Sequence, residues 1–539
     1  MRLALNRLTI AWLLAAILTA CGGGGGGSDT ASSSGSNTGG IPVVVSNNSS
    51  AWAQQCATDN PYRSDAVSTT TVGTLAAEKQ WIRTYLDESY LWYDSVPAVD
   101  ATAADYSGSM ALLDSRQVPL PLANYFNALK TRQTTPSGAW TDQFSFTYPT
   151  RAWQQLSQSG VTAGYGYGIE WVAFNNSAPN RHRRVALVQP GTPAAAAGIL
   201  RGDTLKTVDG VDFANGSDTA SLNAGLFPAS GTTHSLVFGR TGSADISVNL
   251  IAVSVTIDPV PIASVVSDPV GRKVGYLHFT DHLVTSEAKL IQAITSLKAQ
   301  NISDLVLDLR YNGGGYLYIA SELAYMIAGP NRVSGKFFEK LQYNAKRNTD
   351  NAQAAIPFYN ESCLPGANGN CTTPQALPTL NLARIFVIAA SDTCSASESV
   401  INGLRGVDVD VQLIGGTTCG KPYGYVARDN CGVSYFPVEF RGINFKGFGD
   451  YADGFNPTTG IPNSTSLAGC PTSDDLDRPL GNTSERMLNA ALHRAATGTC
   501  PVKLATAPQS VRPLGRLQRE SVREMRVLGD ALRGTAVAR

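Results

Sequence analysis

The chain has 539 residues, 42 of them basic and 42 acidic, so its formal net charge is zero. At roughly 100–200 residues per domain it has room for about three domains, and a 43% apolar content supplies sizeable cores. Charge neutrality argues against a nucleic-acid binder working through bulk positive charge, the apolar share argues against full disorder, and the presence of only one long apolar run argues against a polytopic membrane protein.

That run is N-terminal. Arg2 and Arg7 precede an apolar stretch from Leu8 to Ala20, which ends at Cys21. A basic start, a short apolar stretch and small residues before a cut site read as a secretory signal. Leu18-Thr-Ala-Cys21 resembles a bacterial lipobox, which implies cleavage before Cys21, lipidation of Cys21 and a membrane anchor. The glycine run Gly22 to Gly27, followed by Ser, Thr, Gly and Asn as far as Ser50, reads as a flexible tether. By resemblance to lipoprotein sorting, Gly22 after the cysteine favours an outer membrane, with the protein facing the periplasm of a Gram-negative cell. There are nine cysteines. Lipidation of Cys21 leaves an even number in an oxidising compartment, where disulfides are expected but their pairing is open. Cys363 and Cys371 are near enough to close a small loop. With no CxxC pair and five scattered histidines, no zinc site is expected, and no cofactor is called for.

The segment 51–157 reads as helical. Leu75, Trp81, Ile82, Tyr85, Leu86 and Trp92 recur at helical spacing and are expected to pack a core. Pro121 to Lys130 reads as a second helix with proline near its start. From 158 to 255 the pattern changes to strands and turns: Val185–Val188, Ser235–Phe238 and Ile246–Ile251 are strand-like. Between them a short alanine helix starts at Pro193 and stops at Gly198, and an Asp209-Gly210 turn follows. The segment 256–502 alternates strand and helix, which predicts an α/β core. Val274–Phe279 reads as a strand and Ser286–Ala299 as a helix. Asp304–Leu309 is a near-continuous apolar strand, suited to a sheet covered on both faces. A helix over Tyr316–Ile327, a strand at Ile385–Ile388, a helix from Ser395 and a strand at Val411–Ile414 complete the pattern. The stretch 329–383 reads as an insertion with hairpins. The basic tail 503–539 is mildly amphipathic, as either a membrane-touching segment or a solvated end.

Three segments carry chemistry. Ser395-Ala-Ser-Glu398 fits a capping box at a helix start. A serine there would have free N–H groups and a positive dipole end beside it to stabilise an oxyanion, with Ala396 as one donor. Lys421, between Gly420 and Pro422, could serve as a base if desolvated, because burial disfavours the ammonium. Leu309-Arg-Tyr-Asn-Gly-Gly-Gly315 places three glycines after a buried strand, where backbone can approach a ligand closely.

Taken together, these segments resemble the C-terminal processing peptidases, or tail-specific proteases, over roughly 160–484. The resemblance implies a multidomain α/β protein with an N-terminal helical region, a PDZ-like β-rich domain and a layered, crotonase-like peptidase core. It further implies a serine endopeptidase with Ser395 as nucleophile and Lys421, 26 residues later, as general base. Gly315 and Ala396 would supply the oxyanion N–H groups. Pro190–Gly210 resembles part of a PDZ domain, which binds C-terminal peptide tails by strand addition. Gly166, Tyr167, Gly168 and Ile169 lie where its carboxylate-binding loop would be. Many relatives carry Gln four positions after the lysine; here that position is Tyr425. Two other readings stand beside this one. One is a non-catalytic PDZ-containing lipoprotein used for binding or scaffolding. The other is a Ser–His–Asp hydrolase, for which His493 is the nearby downstream histidine.

Overall fold

In the central sheet, side-chain alternation decides which face each helix covers. The computed structural model describes residues 48–114, 116–162, 166–364 and 374–502; Cys21, Cys371, the leader, most of the tether and the basic tail lie outside them. The described residues fall within one compact unit. Among the described residues, the largest sheet has seven strands in the order Ile262–Ser267, Lys273–His278, Asp304–Asp308, Arg384–Ala389, Asp410–Gly415, Ser466–Pro471 and Asn456–Thr458. The first pair is antiparallel and the remainder parallel. Asp304–Asp308 is buried along its whole length. Leu305, Leu307, Ile385, Val387 and Leu413 point to one face, where they pack with the helices Ser286–Ala299, Leu317–Ala328 and Ala396–Gly406. Their neighbours Val306, Phe386, Ile388 and Ile414 point to the other face, against the helix Arg486–Thr497. A parallel sheet covered on both sides needs this continuous apolar run.

The expected helix Ser286–Ala299 has those bounds, and the strands and helices expected from 274 to 414 agree to within about two residues. The insertion does contain a hairpin, Phe337–Tyr343 paired with Ala355–Pro357, and its first strand also pairs with Phe440–Ile443. Cys363 is disulfide-bonded.

The segment 166–255 folds around its own core of Tyr167, Ile169, Val185, Leu205, Phe238 and their neighbours. Its sheet runs Ile246–Ile251, Thr233–Gly239, Thr204–Val208, His182–Val188, Ile169–Asn175, so Ile169–Asn175 is an edge strand. The alanine helix spans Pro193–Ala196, and the Thr192 side chain caps it by accepting from Ala195 N–H.

The aromatic stripe of the N-terminal region is core, as its period implied: Trp81, Ile82, Tyr85 and Leu86 are buried. That core is shared, however. The strand Phe146–Pro149 pairs with Val433–Phe436, and Tyr425, Val433, Tyr435, Phe436 and Val438 complete the same cluster. Cys56–Cys431 joins the two covalently. Such a disulfide closes a long loop, which restricts the unfolded chain strongly.

Beside the Ala396–Gly406 helix, Glu339 is buried and accepts a hydrogen bond from the Ser399 hydroxyl at 3.1 Å. Burial pushes its carboxyl up to about 8, with Ser399 opposing. Because the folded state holds this proton more tightly than the unfolded chain, Glu339 costs stability as pH rises from the ordinary carboxyl range through about 8. Glu339→Gln should therefore flatten the fall in stability over that window, measured by denaturant unfolding at pH 5 and pH 8. An unchanged slope would show that the group is not held neutral.

Candidate active site

Three loops at the ends of adjacent parallel strands meet around Ser395. The strand Arg384–Ala389 leads into a turn tied down on every side. Ala390 N–H donates to Thr393 Oγ1 at 3.0 Å, and that hydroxyl donates to the Leu309 carbonyl at 2.9 Å. Cys394 N–H and the Ser397 hydroxyl both donate to the Asn312 carbonyl. Ser395 then adopts φ 55° and ψ −118° before the helix Ala396–Gly406 begins. A non-glycine residue in this region carries strain of about 1–3 kcal/mol, tolerated where the surroundings over-determine it. A sharp strand-to-helix turn that bears serine is a recurrent way to present a nucleophile.

The glycine loop lies against this turn. A Cβ built on Gly314 would stand 2.8 Å from Ser395 Cβ and 2.9 Å from Ala396 N, so only glycine permits the approach at φ +99°. Gly314 N–H is taken by Asn312 Oδ1 at 2.9 Å, which also faces His282 Nδ1 at 3.1 Å. Burial lowers the His282 imidazole to about 3, against the Asn312 contact, so the ring is neutral. Gly315 bridges to His282 through Tyr316 N–H and the His282 carbonyl. Among the described residues, neither Gly315 N–H nor Ala396 N–H donates to another group.

Arg310, the arginine of this motif, is fully buried and has a structural task. It pairs with Asp308 at 2.6 Å, Asp474 at 2.6 Å and Glu485 at 3.0 Å. Burial alone would raise Asp308, but Arg310 holds it down at about 2. Glu485 also caps the helix Arg486–Thr497, so Arg310 fastens the start of the glycine loop to the helix beneath the sheet. That helix lies on the face opposite Ala396–Gly406. His493 sits on it and is therefore separated from Ser395 by the sheet, which removes the basis for a Ser–His–Asp arrangement with this histidine.

Lys421 follows the strand Asp410–Gly415, in a loop whose course is set by one buried carboxylate. Glu398 Oε2 accepts from Ser395 N–H at 3.1 Å and from Lys421 N–H at 2.8 Å. Oε1 accepts from Gly420 N–H at 2.9 Å and from the Thr418 hydroxyl at 2.5 Å. Burial pushes the Glu398 carboxyl up, while these four donors pull it back toward the ionised form. The Cys394–Cys419 disulfide closes the same junction. Glu398 approaches both sulfurs, but their bond to each other leaves no thiolate to bind a metal. Lys421 is only 4% exposed. Its Nζ donates to the Tyr425 hydroxyl at 3.1 Å and stands 4.3 Å from the Tyr425 ring centroid and 5.5 Å from that of Phe144.

The Gly166–Ile169 loop is remote from this junction in sequence and belongs to the 166–255 core. The carbonyls of Gly166, Tyr167 and Gly168 accept from Val253, Ala194 and Gln189. Among the described residues none accepts from the N–H groups of these three. The Tyr167 and Ile169 side chains are buried in the domain core. Sequence reasoning thus marked Ser395, Lys421, Ala396 and the glycine loop, which the fold brings together. It treated Glu398 only as a capping partner; the later glycine-rich loop 415–421, whose backbone N–H groups need acceptors, was the available signal.

Residues 273–427 match the model for Peptidase family S41. The chain is 31% identical over 271 residues to a carboxyl-terminal-processing protease of Picosynechococcus, covering 50% of this chain and 56% of that protein. It is 24% identical over 249 residues to the carboxy-terminal processing protease CtpA of Bacillus subtilis, covering 46% of each. The matched stretch thus spans about half the length of these relatives. A crystal structure of a Bacteroides fragilis protein assigned to the S41 proteases superposes with a TM-score of 0.55 at 23% identity, over 78% of this chain and 97% of that one; the likeness is one of fold.

Proposed function

We propose, on the premise that this chain belongs to the C-terminal processing peptidases of family S41, that it is a serine endopeptidase acting through a Ser395–Lys421 dyad. The observation that carries the reading is the shared Glu398 oxygen, which receives the backbone N–H of both residues. In this mechanism the neutral Lys421 amine takes the Ser395 hydroxyl proton as the oxygen attacks a substrate carbonyl. The tetrahedral oxyanion is received by the N–H groups of Ala396 and Gly315, neither of which is spent within the fold. Lys421 then returns the proton to the leaving amine, and water hydrolyses the acyl-enzyme by the reverse sequence.

Segment 158–255 is the PDZ-like domain of this reading. Two features support recognition of substrate tails by it. The strand Ile169–Asn175 lies at a sheet edge, open to strand addition. The loop before it turns its carbonyls inward, which leaves the Gly166, Tyr167 and Gly168 N–H groups for a terminal carboxylate. Lipidation at Cys21 and an outer-membrane, periplasm-facing location complete the proposal. The disulfides Cys56–Cys431, Cys394–Cys419 and Cys470–Cys500 support an oxidising compartment. A purely binding lipoprotein would have no use for a strained serine beside a buried lysine.

Lys421→Ala should lower kcat on a peptide substrate by about a thousandfold, within the range ascribed to general bases, while peptide binding persists. Lys421→Arg should be as inactive, because a guanidinium stays protonated; an active Arg variant would sink the dyad. Peptides with a free C-terminal carboxylate should be cleaved faster than the same peptides amidated. Equal rates would mean that the 166–169 loop does not read the terminus.

A further inference from the structure

We infer that Tyr425 is a positioning residue for the general base, and that the N-terminal region completes the pocket in which that base works. The inference rests on the dyad reading above and adds to it a residue of unexpected type.

A neutral lysine amine has two N–H bonds and one lone pair. To deprotonate Ser395 the lone pair must face the hydroxyl, yet rotation about the last carbon–nitrogen bond is nearly free unless an N–H is engaged. The Tyr425 oxygen engages one: it accepts from Lys421 Nζ at 3.1 Å. The same ring flanks the amine, with its centroid 4.3 Å away, so this side chain bears on both the distance and the rotation of Nζ.

Tyr425 is itself immobilised. It is fully buried, with its ring set edge-on against Phe146 at 5.5 Å and Phe436 at 5.5 Å. Those two rings stack on each other at 4.3 Å across the strand pair Phe146–Pro149 and Val433–Phe436. Phe144 supplies a further wall, 5.5 Å from Nζ. Its backbone N–H is held by Asp142 Oδ1 at 3.0 Å, and Asp142 Oδ2 accepts from the Tyr90 hydroxyl at 2.6 Å. Phe144, Phe146, Asp142 and Tyr90 all belong to the N-terminal region. Two segments nearly 300 residues apart in sequence therefore build one compartment around the amine. A flexible amide side chain would need no such aromatic frame, whereas a phenol ring must be wedged in place to keep its oxygen on Nζ.

The test compares Tyr425→Phe, Tyr425→Gln and Lys421→Ala with wild type in the full chain, using one free-acid peptide substrate and thermal unfolding as a check on folding. Tyr425→Phe keeps the ring and removes only the oxygen. We expect kcat to fall about 10- to 100-fold with KM unchanged, and Tyr425→Gln to recover most of the loss by restoring an acceptor oxygen. Wild-type kcat in Tyr425→Phe would overturn the proposal, as would a folded Tyr425→Gln no more active than Tyr425→Phe, which would show that an acceptor oxygen at this position does not restore the base. If Lys421→Ala retained wild-type activity, the dyad reading would fall with it. An inactive Lys421→Ala alongside a fully active Tyr425→Phe would reject the role of Tyr425 alone.

Discussion

One carboxylate ties the Ser395 turn and the Lys421 loop together. Glu398 lies on the first turn of the helix that Ser395 opens, and its two oxygens collect donors from both the serine turn and the lysine loop. A buried carboxylate is costly unless its lone pairs are filled. Here the filling comes from backbone N–H groups of the residues that must be placed, so satisfying the charge and assembling the site are the same act. The Cys394–Cys419 bond crosses the same junction covalently, one residue before the serine and two before the lysine.

The remaining architecture brings loops to that point. Parallel strands deliver the 310–315, 390–395 and 416–421 loops to one end of the sheet, where helices begin and where open α/β sheets place their ligands. Arg310 fastens the glycine loop below through Asp308, Asp474 and Glu485, while Asn312 fastens it from within. The N-terminal region closes the far side through a shared aromatic core and the Cys56–Cys431 disulfide. The strain at Ser395 is held in place by these contacts acting together.

Much of this was legible in the residues, and the reason differs by element. Ser286–Ala299 has a clean apolar period and fixed bounds; the buried strands betrayed themselves by unbroken apolar runs. Ser395 and Lys421 stood out by motif. What escaped depends on pairing between distant segments. The strand Phe337–Tyr343 is completed by Phe440–Ile443, about a hundred residues on, so local pattern left the insertion unresolved. The boundary expected near 157 cuts through a core that Phe146 shares with Phe436. Glu398 looked like a local cap because its nearest partner is three residues away, whereas its other three donors come from residues 418–421. Tyr425 was conspicuous only as a departure; its contact with Lys421 needed the fold.

The central claim is that Glu398 assembles a reactive Ser395. The most direct measurement is the rate of covalent labelling by a fluorophosphonate, with the adduct located by peptide mass spectrometry, in wild type and in Glu398→Gln. An amide at 398 would turn an N–H toward donors that need an acceptor, each left unmet at about 1–3 kcal/mol. The account predicts a single adduct on Ser395 in wild type and labelling slower by at least about a hundredfold in the folded variant. A label on another residue, or equal rates in the two proteins, would contradict it.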